Sequence, residues 1–133
     1  MDKISEELLS LTRKLLDCLA SGDFAGYTEL SDPGLTGVEP QTFGQVVEGL
    51  DFHRFNGKFL PLDRTQHNTI ILTPQVRVMG DAAVVTYTRL NQRVTAKDGA
   101  LQLTASVETR VWQKQAAGWR HVHFHRTDLA MTK

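Results

Sequence analysis

The sequence predicts an α+β fold in which helices pack on one face of an antiparallel sheet. Three observations carry this. Residues 3–21 place apolar side chains at helical spacing, from Asn68 the apolar period changes to two, and turn signals then divide the chain into four long strands.

Ile4, Leu8, Leu11, Leu15 and Leu19 step by four, three, four and four, and Leu9, Leu16 and Cys18 widen that stripe. Glu6 and Glu7 lie early and Arg13 and Lys14 later, which complements the helix dipole, and Gly22 is the stop. A stripe this wide needs a large cover, which a curved sheet supplies. Asp23 to Ser31 forms a short second helix with Asp23 as N-cap and Phe24, Tyr27 and Leu30 inward. Asp32-Pro33-Gly34 is a turn, and Leu35 to Val38 a short extended piece. Pro40 then opens a helix over 41–58, with Phe43, Val46, Val47 and Leu50 on its apolar face and Asn56-Gly57 near its end.

In the first long strand Ile70, Leu72, Pro74, Val76 and Val78 share a face, with Thr69, Thr73, Gln75 and Arg77 mostly opposite. Pro74 requires an edge position or a bulge, because it has no N–H for a ladder. Gly80-Asp81 turns the chain into Ala82–Val94, Asp98-Gly99 into Leu101–Gln115, and Ala116–Gly118 into Trp119–Asp128.

With 133 residues and no repeats or low-complexity stretches, the chain reads as a single domain over 1–133. Fifteen basic residues balance fifteen acidic ones, so no net field favours nucleic acid or an anionic membrane. One cysteine, Cys18, permits no internal disulfide and fits a reducing compartment. No apolar run approaches the roughly 20 residues that span a bilayer, and residues 1–16 show no signal-peptide core. The expected setting is cytoplasmic, with no nucleic-acid or membrane partner.

Strand parity singles out the polar candidates. Val85, Tyr87, Arg89 and Asn91 share one face, as do Ser106, Glu108, Arg110 and Trp112. In the last strand Arg126 shares its face with Val122 and Phe124, while His121, His123 and His125 take the other. A buried guanidinium needs a carboxylate or a ligand to offset lost hydration. Two readings follow for Arg89, Arg110 and Arg126. Either they form a receptor for a small anion, or Glu108 and other acids pair with them structurally; strand pattern alone favours the second. The three histidines, about 6–7 Å apart, have no carboxylate or cysteine at ligand spacing, so no metal site is assigned and a polar strand face is preferred. His53, among Phe52, Arg54 and Phe55, is a residue type able to serve as acid or base at neutral pH, but no Ser or Cys nucleophile is coupled to it. No glycine-rich phosphate loop or dinucleotide fingerprint is present, and no cofactor is expected.

At these residues the chain resembles the association (hub) domain of calcium/calmodulin-dependent protein kinase II. The matching segments are GDFAGYT (Gly22–Thr28), DPGLT (Asp32–Thr36), VEGLDFHRF (Val47–Phe55), TIILTPQVRVMGD (Thr69–Asp81), YTRLNQ (Tyr87–Gln92), ETRVW (Glu108–Trp112) and GWRHVHFHR (Gly118–Arg126). The resemblance implies an NTF2-like (cystatin-like) cone, a long helix cradled by a strongly curved sheet. It also implies self-association through dimers into stacked rings, commonly of twelve or fourteen copies, without kinase activity in this chain. It further implies a pocket for small carboxylates lined by Arg89, Arg110, Arg126 and His53, with Tyr87 and Glu108 from the same segments. The chain departs from the family pattern at Asn56–Leu60 on the pocket lip, and at Thr73, Gln75 and Arg77. Two other functions stay open: an NTF2-like isomerase or dehydratase with His53 as base, and an adaptor for a separate kinase.

Overall fold

The computed structural model describes residues 1–55, 67–94 and 99–130. The predicted positions Asn56 to Leu60 and Asp98 lie outside them. Helix α1, Lys3–Ser21, begins where Asp2 accepts a hydrogen bond from the Ser5 N–H at 2.8 Å and ends at Gly22, with φ 76. Its Leu8, Leu15, Leu16 and Leu19 are buried, as the spacing requires. Helix α2, Phe24–Leu30, is capped by Asp23, which accepts from the Gly26 N–H at 2.9 Å.

Strand β1 is longer than expected, Ser31–Val38, and pairs parallel with the last strand. Asp32-Pro33-Gly34 therefore sits inside a strand. It forms the irregularity between Ser31 and Thr36, with Asp32 accepting from the Gly34 N–H at 2.8 Å. Gly37 lies against Phe124, where any Cβ would run into the ring, so its lack of a side chain lets β1 close onto the sheet.

Over its described part, 41–55, the helix expected over 41–58 does not form. Its place is taken by a 3-10 turn at Pro40–Thr42, the two-residue strand β2 (Val47–Glu48) and the short helix α3 (Asp51–Phe55). Phe43, Gly44 and Gly49 adopt φ of 54, 77 and 92, which a right-handed helix cannot contain. β2 instead pairs antiparallel with β1. The helical spacing of Phe43 and Val46 was coincidental, since both are exposed.

Strands β3 (His67–Met79), β4 (Ala82–Val94), β5 (Leu101–Gln115) and β6 (Gly118–Asp128) form the expected meander, within the sheet order β2-β1-β6-β5-β4-β3. Gly80-Asp81 makes the β3–β4 turn, and Ala116-Ala117 the β5–β6 turn just before Gly118. Pro74 is on an edge strand and in a bulge: the register skips between Leu72 and Gln75, and Thr73 has φ 47. The extra residue flips parity, so Ile71, Val76 and Val78 pack on the core while Ile70 and Leu72 pair with Leu90 and Thr88 on the outer face. The single face assigned to Ile70 through Val78 was wrong for that reason.

α1 lies across the inner face of β3 and β4. Trp112, fully buried beneath it, donates from Nε1 to Thr12 Oγ1 at 3.2 Å, and Thr12 in turn donates to the Leu8 carbonyl at 2.9 Å. Each fully buried large apolar side chain here contributes about 1.5–3 kcal/mol over exposure. The core fills one end of the inner face, and the polar residues occupy the other.

Candidate functional site

Three cross-strand rows build the polar end. Val85, Arg110 and Phe124 stand in register across β4, β5 and β6; next come Tyr87, Glu108 and Arg126, then Arg89, Ser106 and Asp128. The expected parity of β4 and β5 thus places Tyr87, Arg89, Glu108 and Arg110 together on the inner face.

Glu108, with no exposed surface, is the centre of the first network. Its Oε1 accepts from Tyr87 Oη at 2.7 Å and Arg110 Nη2 at 2.8 Å. Its Oε2 accepts from Ser106 Oγ at 2.8 Å and Arg89 Nη1 at 3.3 Å. Arg110 also donates from Nε to Tyr87 Oη at 3.0 Å, and its guanidinium carbon lies 4.8 Å from the Phe124 ring centre. Burial would raise the Glu108 carboxyl, but Arg110, Arg89 and the Tyr87 hydroxyl outweigh it and hold the group well below the usual carboxylate range. Burial also drives the Tyr87 hydroxyl up and the neighbouring Tyr27 hydroxyl up to about 12, so both stay neutral.

Arg126 centres a second network. Its Nη2 donates to Gln41 Oε1 at 2.6 Å and lies 3.8 Å from Glu39 Oε2, while its Nε lies 3.4 Å from Asp128 Oδ1. Glu39 Oε1 is 4.0 Å from His53 Nδ1, and neither side chain has exposed surface. His53 is enclosed by aromatic rings, with its ring centre 5.2 Å from Phe124 and 6.1 Å from Tyr27.

The histidine stripe is corrected. A bulge at Val122 puts His121 opposite Trp112 on the inner face and His123 opposite Val111 on the outer one. His121 is fully buried, with Nε2 3.5 Å from Arg110 Nη1. Only His123 and His125 keep the predicted face, His123 bonded to Thr36 Oγ1 at 2.7 Å. Among the described residues no three His, Cys, Asp or Glu are grouped to hold a metal ion.

Burial first, then the charges of Arg110, His53 and His123, keep His121 well below its ordinary 6.5. The unfolded chain thus binds a proton near that pH that the folded chain refuses. Stability is complete above it and declines as pH falls, by up to about 1.4 kcal/mol per pH unit. Half-buried His123, also lowered by burial and by His125, adds a contribution of the same sign. Urea midpoints for the chain should drop between pH 6.5 and 5, and His121→Phe should flatten that slope; an unchanged slope would refute the assignment.

Sequence reasoning missed Glu39, Gln41 and Asp128, and put His121 on the wrong face. Glu39 and Gln41 flank Pro40 in what looked like a helix start, and nothing local tells of an arginine 85 residues away from Gln41. Arg89, Asn91, Ser106, Arg126, Asp128 and Gln41 line an open cleft of about 390 Å³ at the wide end of the sheet. Arg110, His53, Tyr87 and Glu108 are buried and do not line it; Glu108 reaches its lining through Arg89 and Ser106, and His53 is linked to Arg126 through Glu39. The lining mixes guanidinium, amide and hydroxyl groups with the Asp128 carboxylate.

The calcium/calmodulin dependent protein kinase II association domain family model matches residues 4–130. The chain belongs to that family. It is 43% identical over 127 residues to the calcium/calmodulin-dependent protein kinase type II alpha chain of Drosophila melanogaster, covering 94% of this chain and 24% of that protein. The chain therefore spans about a quarter of the length of the curated relatives it matches. Among solved structures, the hub homology domain of Chlamydomonas reinhardtii superposes with a TM-score of 0.87 at 37% identity, covering 96% of this chain and 100% of that one. The association domain of the C. elegans kinase gives 0.85 at 37% identity, covering 92% and 93%. An NTF2-like superfamily protein from Salmonella enterica, 22% identical with a TM-score of 0.78 over 98% and 94%, shares the fold. So does a putative dehydratase from Streptomyces avermitilis, 19% identical, 0.76 over 95% and 96%. The association-domain family thus accounts for the NTF2-like cone, its curved six-stranded sheet and its long helix. No helix among the described residues is long and apolar enough to cross a membrane.

Proposed function

We propose that this association domain is a non-enzymatic, self-associating hub, and that its cleft takes a small carboxylate. The outer face of the sheet carries the first part of the reading. Leu72, Leu103 and Val107 are 42%, 43% and 45% exposed there, beside half-buried Val84, Leu90, Ala105 and Val111. A face so apolar on a single copy fits burial against another copy of the same sheet. Light scattering coupled to size exclusion at micromolar concentration tests it: an assembly of two or more copies is expected, and a monomer alone overturns it.

The carboxylate reading rests on Arg89 and Arg126 standing at the cleft, with Arg110 behind them held by Glu108. An isomerase or dehydratase reading has less support. Its base, His53, and the adjacent Glu39 have no exposed surface, and the NTF2-like relatives at about 20% identity share only the fold.

A further inference from the structure

We infer that Asp128 is a built-in competitor of the carboxylate site, occupying the Arg126 guanidinium until a ligand displaces it. This rests on the carboxylate reading above and adds what governs occupancy of that site.

Three guanidiniums of the site face three carboxylates: Arg89 and Arg110 face Glu108, while Arg126 lies between Glu39 and Asp128. Glu108 and Glu39 have no exposed side-chain surface, whereas Asp128 is 55% exposed. The two enclosed carboxylates are structural and cannot leave without stranding a buried charge. Asp128 is free of that constraint.

Its contact with Arg126 is also loose. Asp128 Oδ1 lies 3.4 Å from Arg126 Nε, yet that N–H is buried and makes no hydrogen bond among the described residues. The two groups attract by charge without donor and acceptor aligned, and Asp128, more than half exposed, keeps water as an alternative partner. Arg126 keeps a second anchor meanwhile, because its Nη2 is held by Gln41 at 2.6 Å. The backbone beyond Asp128 is pinned too, by the Leu129 N–H donating to the Ala105 carbonyl at 2.9 Å. So the movable part is the Asp128 side chain alone, on the wall of the same cleft as Arg89 and Ser106.

A tethered carboxylate beside Arg126 competes with an incoming one for the same guanidinium and never diffuses away. It also repels any incoming anion that approaches the same fork. Weakly bound or low-abundance carboxylates are thereby excluded. A ligand succeeds only when its remaining contacts, with Arg89, Asn91 and Ser106 at the same cleft, outweigh that competition.

The test is calorimetric titration of the full chain with butanoate at fixed ionic strength, and with butanamide as the uncharged control. Asp128→Asn and Asp128→Ala are expected to bind butanoate roughly 5- to 30-fold more tightly than the natural chain. Butanamide should be unaffected, and Arg126→Ala should remove the gain. Butanoate binding that needs Arg126 but is equal or weaker in both Asp128 variants overturns the competitor role and leaves the carboxylate site standing. Absence of butanoate binding in all variants, Asp128→Asn included, overturns both. Because Asp128 is exposed at a strand end, thermal melts of its variants should match the natural chain.

Discussion

Glu108→Ala is expected to lose about 3–5 kcal/mol of folding stability, the usual cost of removing one partner from a buried ion pair. Four donors converge on this carboxylate, from Tyr87, Arg110, Ser106 and Arg89. Removing it leaves Arg110, 2% exposed, as an uncompensated charge beneath the core. Glu108→Gln keeps the shape and one acceptor, so a smaller loss of about 1–3 kcal/mol is expected. The double variant Glu108→Leu with Arg110→Met should recover most of the loss, since both buried charges then go together. Urea unfolding of the four proteins checks this. A loss under about 1 kcal/mol in Glu108→Ala would mean that the network does not hold the wide end of the cone together.

Val107→Glu is expected to dissolve the assembly. Val107 sits mid-strand on the outer face, opposite Thr88 and Thr127, with apolar Leu103 and Ala105 on the same face of β5. A carboxylate forced into an apolar interface meets a desolvation cost of several kcal/mol per copy. On an isolated copy the same substitution is exposed and should change stability by no more than about 0.5 kcal/mol. Light scattering should therefore report a fall toward the mass of one copy while the thermal melt of the single fold is kept. An assembly of unchanged mass would move the interface to another face.

The two substitutions act on opposite faces of the same strand, and that separation was legible in advance. Alternation along β4 and β5 placed Tyr87, Arg89, Glu108 and Arg110 on one side, and all four are on the inner face. On strand pattern alone structural pairing by Glu108 was preferred for the arginines, and Arg89 and Arg110 do pair with it. Arg126 was recognised as anomalous beside Phe124, but its partners were not. Glu39, Gln41 and Asp128 reach it from a turn and a strand end, through contacts that carry no local period.

Where parity failed, it failed at a bulge. Pro74 announces one, but the face switch that puts Ile70 and Leu72 opposite Leu90 and Thr88 depends on the register with β4. Val122 announced nothing, and its bulge moved His121 from an outer stripe into the core.

The sequence alone determined α1 with its glycine stop, the four-strand meander and the inner rows of β4 and β5. These depend on short-range spacing, on cap chemistry and on turn residues, all written within about ten positions of where they act. Only the tertiary structure decided the parallel seat of β1 on β6, the breakdown of the expected helix after Pro40, and the layered order of the polar end. Those outcomes depend on which distant groups share one buried space, where every charge must find its opposite or stay in water. Asp128 is the carboxylate of that layer left half in water, and its freedom follows from where the sheet ends.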